Sequence, residues 1–260
     1  MVTWPPGRQP ELRATATIRA AGDRLELRSE PPLTLRATPH AVYTVGSAAG
    51  PVGGDELHLA VDVEREASLV VRSAAATMHH PGPTGRPSTM TVDANVRAAC
   101  HLGWQPEPAI LVTGCDHRIA TRIHLATTAT LVWREELVLG RHGEPGGSVA
   151  ARVVVDRGGR PLIRNEVRLG PSWPDSCGPA GVEDARAVGS LLIVGPVAAD
   201  TSTHDHGARW AALRLADDVV LVSAIADRSS AITSLFDHLL ASSSRAASLS
   251  DLPCPSVQPV

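Results

Sequence analysis

The sequence predicts a mainly β protein, a β-helix or solenoid-like stack of short strands with one or two helices near its C-terminus. Three observations carry this expectation. Leu57, Leu59, Val61 and Val63 alternate with Glu56, His58, Ala60 and Asp62, the period of a half-buried strand, and Ile119, Ile123 and Leu125 repeat it against Arg118, Arg122 and His124. Turn residues punctuate such runs at Gly22-Asp23, Pro31-Pro32, Gly50-Pro51, Pro81 to Pro87, Gly143 to Gly147 and Gly158-Gly159. Ala67-Ser68-Leu69, Ala99-Cys100-His101-Leu102 and Ala129-Thr130-Leu131 each open a strand, and their alanines recur after 32 and 30 residues. Stacked coils give a reason for so regular a register, and a sandwich does not.

In chain order, the Pro-rich residues 1–11 are expected to be a flexible N-terminus and residues 12–241 a single domain. Short strands run from Ala14 to Arg168, with loops at Pro81 to Ser88 and Pro171 to Gly181. From Ser230 to Leu240, Ala231, Ile232, Leu235, Phe236, Leu239 and Leu240 fall at helical spacing after the capping candidates Asp227 and Ser229. Residues 242–260 offer little to bury and read as a tail.

With 260 residues, 43% hydrophobic but only 3% aromatic, the core must be built from Ala, Val and Leu. The net charge is −3, and all 24 basic residues are arginines spread without a dense run, which argues against nucleic acid as a partner. No stretch approaches the roughly 20 apolar residues of a membrane span. The N-terminus has no charged and apolar leader, so a soluble, cytoplasmic chain is expected, with Cys100, Cys115, Cys177 and Cys254 as free thiols.

Signatures of nucleophile elbows, phosphate loops, dinucleotide folds and zincins are absent. His204-Asp205-His206 is the sharpest metal candidate, since two imidazoles on one face of an extended segment suit Ni²⁺ or Zn²⁺. The plainer reading is a polar turn before Gly207. Cys115 with His117, and His79 with His80, are further close pairs, but no spacing completes a site. A buried small cysteine and solvated loop histidines are the plain alternatives. Gly53-Gly54-Asp55-Glu56 sets two acids after a flexible turn, where Asp55 either caps the backbone or acts as a ligand. Glu135-Glu136 lies within the apolar run Leu131 to Leu139, where an unpartnered acid is costly to bury, and for Glu135 a solvent-facing alternate position stands open beside an inward one.

Four strings in order, Val52-Gly53-Gly54-Asp55-Glu56-Leu57, Ala75-Ala76-Thr77, Leu102-Gly103-Trp104-Gln105-Pro106-Glu107-Pro108-Ala109-Ile110, and Leu139-Gly140-Arg141 with Gly143-Glu144, resemble the urease accessory protein UreD (UreH) family. The resemblance spans about Leu33 to Leu169 and continues more loosely through the C-terminal helix. It implies a β-helical, non-catalytic chaperone that binds the urease apoenzyme subunits together with the accessory protein UreF and the GTPase UreG. It also implies no tightly bound cofactor, with nickel in transit through an internal passage. Carried onto this chain, Asp55, Thr77, Glu135 and Glu166 would line that passage, with Gly53 and Gly54 forming its motif turn. Oxygen donors in series hold a divalent ion loosely enough to pass it on.

The chain departs from the family pattern at Gly103, Gln105 and Ala226, and Met78, His79 and His80 stand where basic and aromatic residues are expected. Two rivals remain. A cupin-type metal enzyme would use His204 and His206 but needs a glutamate soon after them, and none follows Glu183. A generic β-solenoid binding module would have no link to urease.

Overall fold

A computed structural model describes residues 11–178, 181–196, 207–247 and 256–257. Two hairpins open the chain, β1 (Arg13–Ala21) with β2 (Arg24–Ser29) and β3 (Leu33–Ala37) with β4 (Val42–Gly46). The coils follow. The first is β5 (Glu56–Glu64), β6 (Ser68–Ser73) and β7 (Thr77–His79), and the second is β8 (Ser88–Val96), β9 (His101–Gln105) and β10 (Ala109–Leu111). The third is β11 (Asp116–Leu125) and β12 (Thr130–Leu139), a long strand whose first half pairs with β9 and whose second half pairs with β10. β13 (Ser148–Arg157) and β14 (Arg160–Leu169) then form a hairpin, and β15 (Ala187–Val194), β16 (Arg209–Ala216) and β17 (Val219–Ala226) precede α1 (Ser229–Ala247). β18 (Ser256–Val257) returns to pair with β2.

The result is a β-solenoid. One sheet carries β1, β5, β8, β11 and β13 in parallel, a second carries β4, β6, β9 and β12 in parallel, and β7, β10 and the end of β12 make a narrow third face. Antiparallel strands close the edges, with β2 and β14 beside the first sheet and β3 and β15 beside the second. Leu57, Leu59, Val61 and Val63 are buried on the inner side of β5 as the alternation predicts, and Leu69, Leu102 and Leu131 stack fully buried on successive rungs of the second sheet.

The repeat is genuine, but its middle copy sits one residue later than the sequence reading placed it. Each coil turns with the same backbone bond between residues three apart, Ala67 N–H to Glu64 O, Cys100 N–H to Arg97 O and Ala129 N–H to Ala126 O. Ala67, Cys100 and Ala129 therefore hold the equivalent buried position. Ala99 lies inside the turn with φ +56°. A small side chain is the true requirement at the position, and the thiol of Cys100 meets it.

α1 lies on the outside of the second sheet, with Ile232, Leu235 and Phe236 fully buried against β15 and β17. It runs to Ala247, beyond the Leu240 limit of the sequence pattern. Gly189 permits this approach, because a Cβ there would meet Ile232 Cγ2 at 2.4 Å and the Phe236 ring at 2.8 Å. No helix among the described residues is long and apolar enough to cross a membrane.

Candidate functional site

At one corner of the solenoid each coil passes from the third face into the long strand of the first sheet. The Gly-Gly-Asp string builds that corner ahead of β5. Asp55 N–H donates to Val52 O at 2.9 Å, closing a turn in which Gly54 takes φ +99°, a conformation that only glycine adopts without strain. Gly53 lies so near the 81–87 loop that a Cβ would meet Gly82 N at 2.5 Å and Arg86 O at 2.7 Å. The Asp55 carboxylate is buried, and accepts hydrogen bonds from Val52 N–H at 2.8 Å and Leu12 N–H at 3.0 Å. Capping of the turn and tethering of the N-terminal segment account for both its oxygens. The same residue also helps to wall a cleft of about 320 Å³, with Glu11, Leu12, Ala48, Val52 and Thr84 among its neighbours.

The corner continues inward through polar residues. Asp55 precedes Glu56, which pairs with Thr89, so Asp55 stands beside Ser88, and Ser88 in turn pairs with His117. Ser88 Oγ and His117 Nδ1 share a hydrogen bond of 2.8 Å, both residues fully buried. From the third face His79, also buried, brings its ring to 3.8 Å from that of His117, centroid to centroid, with the planes tilted by 34°. His79 is thus a strand residue of the interior, not the solvated loop histidine read from the sequence. His79 Nδ1, His117 Nε2 and Thr121 Oγ1 are buried with no hydrogen-bond partner. Burial holds both imidazoles uncharged: it lowers the pKa of His79 to about 3, with help from the nearby His80, and that of His117 well below the ordinary value.

Thr77 and Glu135 face the same interior. Thr77 opens β7, two residues before the inward His79, and stacks through Ala109 on Leu137. On β12, Leu131, Trp133, Leu137 and Leu139 are buried in the core, and strand alternation puts Glu135 on their side. Of the two placements left open for Glu135, the inward one is therefore the one observed. Its carboxyl sits deep among protein atoms while the residue stays partly exposed, and burial raises its pKa to about 7. β7 and β12 are two strand steps apart, about 10 Å. Glu166 is not part of this group. It stands exposed on β14, and Arg168 holds it as an ion pair at 2.7 Å that lowers its pKa. His204 and His206 lie outside the described residues.

The opposite face of β12 holds a cluster that the sequence reading did not single out. Arg134 pairs with the buried Glu136 and, at 2.7 Å, with Asp237 of α1, while Thr233 Oγ1 donates to Glu136 Oε2 at 2.9 Å. Burial raises the Glu136 pKa, and Arg134 and Thr233 oppose the shift. The signal available in the sequence was alternation itself, which splits Glu135 from Glu136 and puts one on each face.

A family model described as UreD urease accessory protein matches residues 13–258. The chain is 40% identical to the urease accessory protein UreD of Parafrankia sp. (strain EAN1pec), over 89% of this chain and 85% of that protein. It is 39% identical to urease accessory protein UreD 3 of Streptomyces griseus, over 88% and 96%, and 38% identical to UreD of Frankia alni, over 83% and 88%. The chain belongs to the UreD family. Membership gives it a role in urease maturation.

The motifs by which this UreD-family chain resembles its relatives are mostly bends of the solenoid. Ala75-Ala76-Thr77 turns from β6 into β7, and Pro106-Glu107-Pro108 turns from β9 into β10. Between them Trp104 stacks on Trp133, their ring centroids 5.0 Å apart. In the Leu-Gly-Arg motif Gly140 has φ +77°, and Arg141 grips Glu144 through two nitrogens at 2.7 and 3.1 Å, holding the Glu144 carboxyl down to about 2. The departures fall on the same elements: Gly103 and Gln105 on β9, Met78 exposed on β7, and Ala226 buried beneath α1.

Proposed function

We propose that this UreD-family chain is a non-catalytic scaffold for nickel insertion into urease, acting in the cytoplasm on the apoenzyme subunits together with UreF and the GTPase UreG. In this reading nickel is cargo, and the chain has no tightly bound cofactor of its own. Asp55, Thr77 and Glu135 supply oxygen donors along the corner and interior of the solenoid, whereas Glu166, exposed and paired with Arg168, would serve only at an outer surface. The observation that carries the reading is Glu135, a partly exposed carboxyl on the inner side of β12, between Trp133 and Leu137 of the core, with no hydrogen bond or ion pair among the described residues. The absence of a hydrolase, phosphate-loop or dinucleotide signature supports the non-catalytic part.

The test is reconstitution of urease from apoenzyme, UreF, UreG and this chain, with nickel per urease site as the readout. Glu135→Gln removes the charge and keeps the shape, while Asp55→Asn keeps one acceptor for the two backbone N–H groups that Asp55→Ala would strand. Reduced nickel with unchanged circular dichroism is the expected result. Full loading with both variants would sink the passage.

A further inference from the structure

The two long sheets of the solenoid end unevenly. The first continues past β11 by two strands, β13 and β14, whereas the second continues past β12 by three, in the order β15, β17 and β16. The last strand, β16, is left without a counterpart in the first sheet and without a neighbour on its outer edge among the described residues. Its burial agrees, since none of its eight residues is fully buried. Leu213 and Leu215 of this strand are 52% and 45% exposed, and the other large apolar side chains exposed among the described residues, Leu12 and Met78, lie on other elements.

Two further observations set this edge apart from scattered surface leucines. Leu213 pairs across the sheet with Leu221, which packs against the main core, so the apolar surface of the interior runs out to solvent along β16. The strand also lacks most of the devices that blunt a natural edge. Trp210-Ala211-Ala212-Leu213-Arg214 holds no lysine and no proline, and its one charge belongs to Arg214, whose Nη1 donates to Asp217 O at 2.8 Å. Trp210 and Ala212 pack on the other face, toward α1. Pairing with β17 slips between Arg214 and Ala216, so the regular stretch ends at Arg214 and Leu215 bulges.

We propose that β16 is a docking edge for a second copy of this chain, the two strands pairing antiparallel about a two-fold axis centred on Ala212. The argument for a second copy is that this stretch complements itself. Two-fold pairing centred on Ala212 sets Ala211 opposite Leu213 and Trp210 opposite Arg214, each pair occurring twice. A small side chain then stands beside each large one, a guanidinium faces each indole, and no like charges oppose one another. Neighbouring registers fit less well. Centred on Leu213 the pairing would include the bulge, and centred on Ala211 it would set Arg209, which already holds Glu183 at 2.8 Å, against Leu213. One short strand from each copy is a small interface, so the dimer is weak and forms in the micromolar range. The inference is independent of the nickel passage.

The experiment is sedimentation velocity of the full-length chain across a concentration series, with circular dichroism of each variant as the check on folding. The wild type should pass from monomer to dimer as concentration rises. Leu213→Lys should weaken the dimer roughly 10-fold or more, because the two-fold repeats the substitution on both sides of the contact. Met78→Lys removes an equally exposed apolar side chain from β7 and should leave the dimer unchanged. The register has its own test, which does not depend on how Leu213→Lys folds. In a chain carrying Cys177→Ser and Cys254→Ser, Ala212→Cys should form a covalent dimer under mild oxidation, since opposed residues of an antiparallel pair have Cα atoms about 4.5–5.5 Å apart, within disulfide range. A monomer at every concentration overturns the proposal, and if Leu213→Lys then lowers urease activation, the edge belongs to a different protein. Association that Met78→Lys weakens as much as Leu213→Lys is unspecific stickiness and also overturns it. A dimer that Ala212→Cys does not lock overturns the strand pairing.

Discussion

Glu135→Gln should change the pH dependence of stability more than stability itself at any acidic pH. Burial raises the Glu135 pKa from 4.5 to about 7, so the folded chain keeps a proton there that the unfolded chain has released. A raised carboxyl pKa leaves stability intact below 4.5 and costs more as pH climbs, until the folded state also ionises near 7. At about 1.4 kcal/mol per pH unit, the full penalty is about 3 kcal/mol, most of it developed between pH 5 and pH 8. Glutamine keeps the shape and has no proton to lose. Urea unfolding of the wild type and the variant at pH 5, 6, 7 and 8 isolates the effect, because the other titrating groups cancel in the difference. The variant should gain about 2–3 kcal/mol on the wild type across that range. A difference that stays flat with pH would refute the inward placement of Glu135, since only a desolvated carboxyl produces the slope.

The histidine pair predicts the opposite limb: with His79 held neutral down to about pH 3, stability is complete above 6.5 and falls as pH drops below it, and His79→Phe should flatten that fall in the same urea series. Arg134→Ala leaves Glu136 buried without its partner and loosens α1, at a cost of about 3 kcal/mol, measurable as a lowered unfolding midpoint and as early proteolysis near the helix. Gly189→Ala drives a methyl group into Ile232 and Phe236 and should cost about 1–3 kcal/mol by thermal unfolding, whereas the same change at Gly143, where a Cβ would meet nothing, tests only φ strain.

Much of the scaffold was legible along the chain because it rests on local chemistry. Alternation at Leu57 to Val63 placed β5, helical spacing at Ile232 to Leu239 placed α1, and small residues at a near-constant interval announced stacked coils. Even the one-residue slip at Ala99 was a local error, in which a turn residue was taken for the stacked one. At Gly-Gly-Asp the sequence left a backbone cap and a ligand role both open, and the structure shows the turn and the two backbone N–H groups that the Asp55 carboxylate holds.

What the sequence determined by itself, then, was the class of fold, the strand faces and the family likeness, all of which follow from residue spacing and from strings of adjacent residues. Tertiary structure alone decided which polar residues share a space. His79 and His117 are 38 positions apart along the chain, and they meet because the third face and the first sheet converge at one corner, a distance that no sequence interval encodes. Glu135 and Glu136 are neighbours in sequence, yet one enters the solenoid and the other binds Arg134 beneath α1, because a strand sends consecutive side chains to opposite sides and each side has its own environment.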